Sequence, residues 1–580
     1  MTDRGTSTRI VRKPGLLLAF LGLSLLLLGL NAAAASAKTS TWNGSISANW
    51  STAANWTGGL PVTAVDSLIF STLSGSTKYA LNNDLPLSGI TKFSVKALTI
   101  SNTDASHYYL LGGNALVVTG GVVDSATGAM DIISLPLWFN TTQTIEVSYA
   151  GPPVHELNIL GAGIKGAGGV TKTGPGTLYY NSACSYNGDT LVSAGKLQVA
   201  SSDAIPYGPG MGNVTVASSA VLELLQSATV NGLSGLGTIQ PAGFNKYLSV
   251  GSNNATSTFS GSIIDVGSQA LGVTKIGSGT FTLAGAGNSF SGGAEVTSGN
   301  MCVTGSAANS TFTVDSPDSI ATLSGTGTVG PMVVSLPHSA DSATTGMVSP
   351  GTSSVPVGTL NTGAETWNDG GSYAVDLSNT GSGHDLLNIT GGLSVESTGT
   401  SPFTIAVTSL GSMSDFDAHK DYSWLIARTT GGITGFSAAD FTLDQTGFTP
   451  QAAPLSPGLY LYQDGSNVYL RYSGSGTAVH LKSFATRVRR DGKVVVVWKT
   501  ATRENVAGYV LQRRNPVTRR WSRVGPSIVP VEWGASAGAT YRVLDPAARP
   551  GHRQTYRVRE VHLGRGSSLY GPYKVMPRRR

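Results

Sequence analysis

The chain has 580 residues, 75 of them glycine, with 12% charged and 40% hydrophobic side chains and two cysteines. The glycines follow no three-residue period, which excludes a collagen triple helix, and the apolar share excludes a chain disordered throughout. The formal net charge of +6 hides a division: residues 38–480 carry 12 Lys+Arg against 26 Asp+Glu (net −14), and residues 481–580 carry 22 against 5 (net +17). The break marks a domain boundary near 476–480, after YSGSGTA. Few charges with much Thr, Ser, Val and Gly point to short strands joined by tight turns.

Residues 1–37 read as an export signal. Arg4, Arg9, Arg12 and Lys13 precede the apolar run from Leu16 to Leu30, and Ala35-Ser36-Ala37 fits the small-x-small rule, placing cleavage near Ala37. The run is shorter than the ~20 residues of a spanning helix, and no later stretch is long and apolar enough to span. The mature protein is therefore expected to be extracellular or at the cell surface, with no transmembrane segment.

Residues 38–160 read as an N-terminal β segment that caps a longer coil. Trp42, Trp50 and Trp56 cluster there. Aromatic faces stack on sugar rings, but covering the bare strand edge of a first coil is the plainer use.

Residues 161–345 state one phrase twice. GVTKTGPGTLYY (169–180) returns as GVTKIGSGTFTL (272–283), so that Gly169, Lys172, Gly174, Gly176 and Thr177 match Gly272, Lys275, Gly277, Gly279 and Thr280. After one inserted residue, Gly188, Val192, Gly195, Leu197 and Val199 match Gly292, Val296, Gly299, Met301 and Val303. Apolar residues alternate with polar ones, the period of a strand with one buried face. A single unit has nothing to bury that face against, whereas stacked units cover one another. The predicted architecture is all-β: a right-handed parallel β-helix with glycine at corners of positive φ. Echoes at 233–239 and 323–329, then SPGTSSVPVGTL, SYAVDL and DLLNITGG, carry the solenoid through 346–475.

The units at 169–199 and 272–303 resemble autotransporter-associated β-strand repeats. The opening at 41–70 and the late SPGTSSVPVGTL…DLLNITGG resemble the flanks of large exported Gram-negative proteins that carry such repeats. The resemblance implies a secreted or surface-exposed β-helix passenger. Such proteins commonly end in an outer-membrane barrel of strands about ten residues long. The hundred basic residues at the end here, finishing MPRRR, lack that pattern, so an export machinery or outer-membrane partner is expected.

Residues 478–577 read as a separate small β-sandwich, with a basic tail at 578–580. WKTATRENVAGYVLQR (498–513) resembles the strand–turn–strand of a fibronectin type III module, with Trp498 and Tyr509 as core residues. Arg513, Arg514, Arg519, Arg520 and Arg523, with Arg553, Arg557 and Arg559, offer guanidinium contacts to an anionic envelope or extracellular polysaccharide. A solvated arginine-rich face is the blander reading. Nucleic acid is not an expected partner, because the chain is exported and has no reader motif.

No catalytic constellation is legible, and no cofactor or metal is expected. His107, His155 and His384 are scattered; no HExxH or GxSxG occurs. GAGIKGAGG (161–169) lacks the helix that a dinucleotide fingerprint needs. A polysaccharide lyase or glycosidase on the same scaffold needs stacked carboxylates, yet Asp189 aligns with Gly293 and Leu191 with Glu295. Lys172 and Lys275 read as solvated turn lysines. Asp385, in GSGHDLLNI, resembles half of a calcium-binding repeat, and one copy does not make that site. Export permits a Cys184–Cys302 disulfide. The expected function is that of an exported structural or adhesive β-helix without catalysis. The alternatives are the polysaccharide-active enzyme and a non-catalytic polysaccharide-binding protein.

Overall fold

The computed structural model describes residues 37–73, 79–85, 92–128, 130–151, 155–316, 319–336, 346–454, 458–473, 481–500, 506–526, 529–530, 539–562 and 567–577. The expected export signal lies outside them. Among the described residues, no helix is long and apolar enough to cross a membrane.

The chain winds as a coil with three faces. One face is a sheet of 18 strands, from Thr39–Trp42 to Phe441–Gly447; its members pair in parallel except for Trp56–Thr57, which runs antiparallel to the first strand. In the first half of the coil the chain next visits a nine-stranded parallel sheet (Ala80–Asn83 to Ser262–Ile263), then a five-stranded one (Phe93–Val95 to Ser185–Tyr186). Farther along, both are replaced. A nine-stranded sheet from Ala228–Val230 to Ile433–Thr434 takes over the third side, and a seven-stranded sheet beginning at Ser306–Ala307 takes over the second. The last of these ends in an antiparallel hairpin, Gly458–Asp464 with Asn467–Ser473, laid on Tyr422–Thr429. The architecture is the expected parallel β-helix.

Period two explains the interior. In Ser67–Ser71 the side chains of Leu68 and Phe70 point in, and in Ser372–Leu377 those of Tyr373, Val375 and Leu377 do. Rung after rung adds to one continuous apolar core, each buried aliphatic side chain contributing roughly 1.5–3 kcal/mol. At the N-terminal end Trp42, Trp50, Trp56 and Phe70 pack edge-to-face and tilted, with ring centroids 5.0–6.3 Å apart. All four are buried, so these tryptophans cap the first coil and offer no face to a sugar.

The two repeat copies lie in the same stack but on different faces. Val170–Thr173 belongs to the 18-stranded sheet, and Thr177–Tyr180 to the second. Their counterparts Leu271–Lys275 and Thr280–Leu283 fall on the third side and on the 18-stranded sheet. What repeats is the corner between two strands. Gly174 and Gly277 have φ of 73° and 68°, and Gly195 and Gly299 have 66° and 65°. A Cβ at Gly174 would lie 2.3 Å from the Val147 carbonyl oxygen, and one at Gly277 would lie 2.1 Å from that of Gly251. Neighbouring rungs leave no room there for any other residue.

Beyond residue 481 two antiparallel sheets share a second, separate core. One holds Leu481–Val488, Val494–Thr500 and Thr540–Asp545; the other holds Trp521–Arg523, Val506–Arg514, Gln554–His562 and Ser567–Val575, with Val529–Pro530 alongside. Trp498 and Tyr509 lie at the centre of this core, fully buried.

Candidate functional site: an uncharged outer row and an arginine face

The outward side chains of the 18-stranded sheet form rows, because parallel strands stack in register with successive rungs about 4.8 Å apart. One row runs Thr171, Leu191, Thr215, Ser234, and farther on Thr282, Cys302, Ser324, Ser349. It is mostly hydroxylic and without charge, although the body that carries it is acidic; Cys302 and Ser324 within it are buried, and the other members are partly exposed. Thr215 and Ser234 hydroxyls bond across the rungs at 2.8 Å. Such a row presents repeated short donors and acceptors at fixed spacing.

The adjoining face is polar in a different way. Asn158, Tyr179, Gln198, Glu223 and Gln240 stack in one row. Glu223 accepts from Lys196 at 2.8 Å, and from Gln198 and Gln240. Burial pushes its carboxyl up, but these three donors bring it below the usual range. Glu156 is on this face too, three rungs from Glu223. That is about 14 Å by strand spacing, wider than the roughly 5–10 Å of a glycosidase carboxylate pair.

The matched lysines are not solvated, contrary to expectation. Both are fully buried. Lys172 Nζ donates to the carbonyls of Thr173 (2.8 Å), Gly174 (2.8 Å) and Ala194 (3.1 Å). Lys275 Nζ does the same to Ile276 (2.8 Å), Gly277 (2.7 Å) and Ser298 (3.1 Å). Each ammonium thus joins two successive rungs at one corner, and burial pulls each down to about 8. They are fasteners of the coil.

Asp385 is likewise structural: its two carboxylate oxygens accept the backbone N–H groups of Gly358 (2.8 Å) and Asp376 (3.0 Å). Both cysteines are free and buried. Cys184 precedes Ser185–Tyr186, on the third side of the same turn as Val170–Thr173. From that strand to Gly299–Val303, which holds Cys302, the 18-stranded sheet climbs six rungs. Six rungs are roughly 29 Å, far beyond the ~7 Å limit for Cα atoms of a disulfide; the bridge is excluded.

In the basic region Arg513 is already engaged. Its Nη1 lies 3.0 Å from both oxygens of the buried Asp545, which also accepts from the Tyr556 hydroxyl at 2.8 Å. Arg514, Arg519, Arg520 and Arg523 are exposed. Trp521 lies between Arg557, whose guanidinium carbon is 4.4 Å from the ring centroid, and Arg514, at 6.0 Å. Arg523, Gln512 and Arg557 share one register row. Arg514 donates its Nε to the carbonyl of Arg519 at 3.2 Å, which leaves Arg519, Arg520 and Arg523, with Arg553 and Arg559, as exposed arginines open to an anion.

One constellation was not anticipated. Asp124, Asp131 and His155 converge inside the N-terminal coils, all fully buried. His155 Nε2 is 2.7 Å from Asp124 Oδ2 and 3.7 Å from Asp131 Oδ2. Burial, with Asp124 nearby, pushes Asp131 up to about 8. Burial acts against a charged imidazole at His155, but the bond and charge of Asp124, the Gly128 carbonyl and Asp131 together outweigh it and hold the ring above its ordinary value. These three are the residues a metal ion would take.

The fold is a parallel β-helix with fastened repeat corners, and sequence comparison adds two likenesses. Residues 170–199 and 273–300 match the Passenger-associated-transport-repeat. The chain is also 35% identical, over 141 residues, to the Adhesin BmaC autotransporter of Brucella suis biovar 1 (strain 1330). That stretch is 23% of this chain and spans 4% of the adhesin.

Proposed function

We propose that this chain is an exported surface adhesin-like passenger, whose β-helix serves as a rigid spacer and contact surface. The uncharged hydroxyl row on the 18-stranded sheet carries the reading. It suits a broad, repetitive, neutral partner surface such as a polysaccharide, held by many weak contacts in place of one pocket. The passenger-type repeats and the likeness to an autotransporter adhesin support a place on the outer envelope after removal of an N-terminal signal. The fibronectin type III-like module of residues 478–577 is the retention element: Arg519, Arg520 and Arg523 engage anionic groups of the envelope, an attraction that salt screens over about 8–10 Å.

The test is fractionation of cells expressing the full chain, together with adhesion of those cells to immobilised polysaccharide. Retention until a high-salt wash, and adhesion lost when Thr171, Thr215 and Thr282 are all replaced by Asp in a chain that still folds, are the expected results. Release into the medium at every salt concentration refutes the retention role. Adhesion unchanged by the triple replacement refutes the row as the contact surface.

A further inference from the structure

We infer that Asp124, Asp131 and His155 form a binding site for one divalent first-row transition ion, of which zinc fits the donor set best. The three donors come from two successive rungs. Asp124 ends the strand Val122–Asp124, Asp131 lies in the next strand of the same turn, and His155 precedes Glu156–Ile159 one rung on.

Each side chain is aimed by a backbone group at the atom it would not use for a metal. His155 Nδ1 lies 2.8 Å from the carbonyl of Gly128, so with Nδ1 protonated Nε2 is left as the donor. Asp124 Oδ1 accepts from the N–H of Ala126 at 3.1 Å, and Asp131 Oδ1 from that of Tyr109 at 2.6 Å. Nε2 and the two Oδ2 atoms remain, and one ligand atom from each of the three residues lies within 4.8 Å of the others. Backbone partners that fix the far side of each ligand are the usual support of a metal centre.

Ligands about 2.0–2.2 Å from a tetrahedral ion stand roughly 3.3–3.5 Å apart. The 3.7 Å separation of Nε2 from Asp131 Oδ2 is close to this, and the 2.7 Å separation from Asp124 Oδ2 must widen by roughly 0.6–0.8 Å to admit the ion. Charge agrees. A neutral imidazole, two carboxylates and a divalent ion sum to zero. One imidazole with two carboxylates suits zinc, and manganese second, over copper(I), which prefers sulfur. The ion would pin the corner where the 18-stranded sheet turns into the second.

The test is metal analysis of the full-length exported protein, purified without chelator, with Zn²⁺ and Mn²⁺ added back to chelated samples during thermal unfolding. About one equivalent of metal, and a melting temperature that falls on chelation and recovers by several degrees on add-back, are expected. Asp131→Asn and His155→Gln should lower retention by at least about tenfold. Wild-type protein that holds no metal and melts unchanged with either ion overturns the assignment. So does equal retention by wild type and both variants.

Discussion

Lys172 and Lys275 make the same three carbonyl bonds to within 0.1 Å, yet their strands belong to different sheets of the coil. The corner, and not the face, is the unit that this repeat encodes. Replacing either lysine by methionine keeps the bulk of the side chain and takes the donor from three part-buried carbonyls. We expect a loss of about 2 kcal/mol at each site, partly offset by removal of a buried charge. The corners are rungs apart, well beyond the ~7–10 Å at which effects couple, so the double variant should lose about twice as much. Urea midpoints at constant m-value check this.

Glycines within the repeats should separate sharply from glycines in open loops. Gly174→Ala and Gly277→Ala meet both a positive φ and a neighbouring carbonyl oxygen at 2.3 or 2.1 Å. Gly210 also has a positive φ, 82°, but nothing within 4 Å of an added Cβ. We expect Gly210→Ala to cost ~1 kcal/mol, from conformation alone, and the corner substitutions to cost at least about 3 kcal/mol or to prevent folding. Thermal melting of the three variants reads out the difference.

Glu365 gives the coil a pH dependence of defined sign. Its oxygens accept from the Thr362 hydroxyl (2.6 Å) and the Trp367 indole (2.8 Å), and burial pushes the carboxyl up to about 7. The folded chain therefore binds a proton that the unfolded chain releases near pH ~4.3. Its contribution is fully present below about pH 4.3 and is lost as pH rises toward 7, a change on the order of 3 kcal/mol. Unfolding of wild type and Glu365→Gln should diverge over that interval, with the variant flatter. Parallel curves refute the assignment.

Two arginines on adjacent strands should behave as opposites. Arg513→Ala leaves the carboxylate of Asp545 buried without its cation, and is expected to destabilise the C-terminal region by ~3 kcal/mol. Arg523→Ala, at an exposed position, should leave melting unchanged and weaken retention by an anionic column. Salt elution and calorimetry on the same pair of proteins distinguish the roles.

Much of the architecture is readable in the chain. Val170 and Leu178 alternate as strand residues do, and the doubled glycine spacing marks corners. The buried state of the lysines is readable too, by parity rather than by charge: Lys172 has the same parity as Val170, which places it inward. The same rule applies to Asp131, two residues before the buried Ile133, and a charge at an inward position is the available signal for the His155 cluster. What periodicity does not carry is which residues meet across rungs. Asp124 and His155 are 31 positions apart, and Arg513 and Asp545 are 32 apart. Those meetings depend on how many residues each turn consumes, which loop lengths set. The same dependence hides the shift of the repeat from one face to another.

That shift has an implication for how such a chain lengthens. A module that fits at two of the three corners need not be added in whole turns. Duplication of a segment worth one side of the prism would still find carbonyls to clamp and a neighbour to cover it. The stalk can thus be extended or trimmed in steps finer than its own circumference, and each step would rotate everything beyond it, including any displayed row, by a third of a revolution.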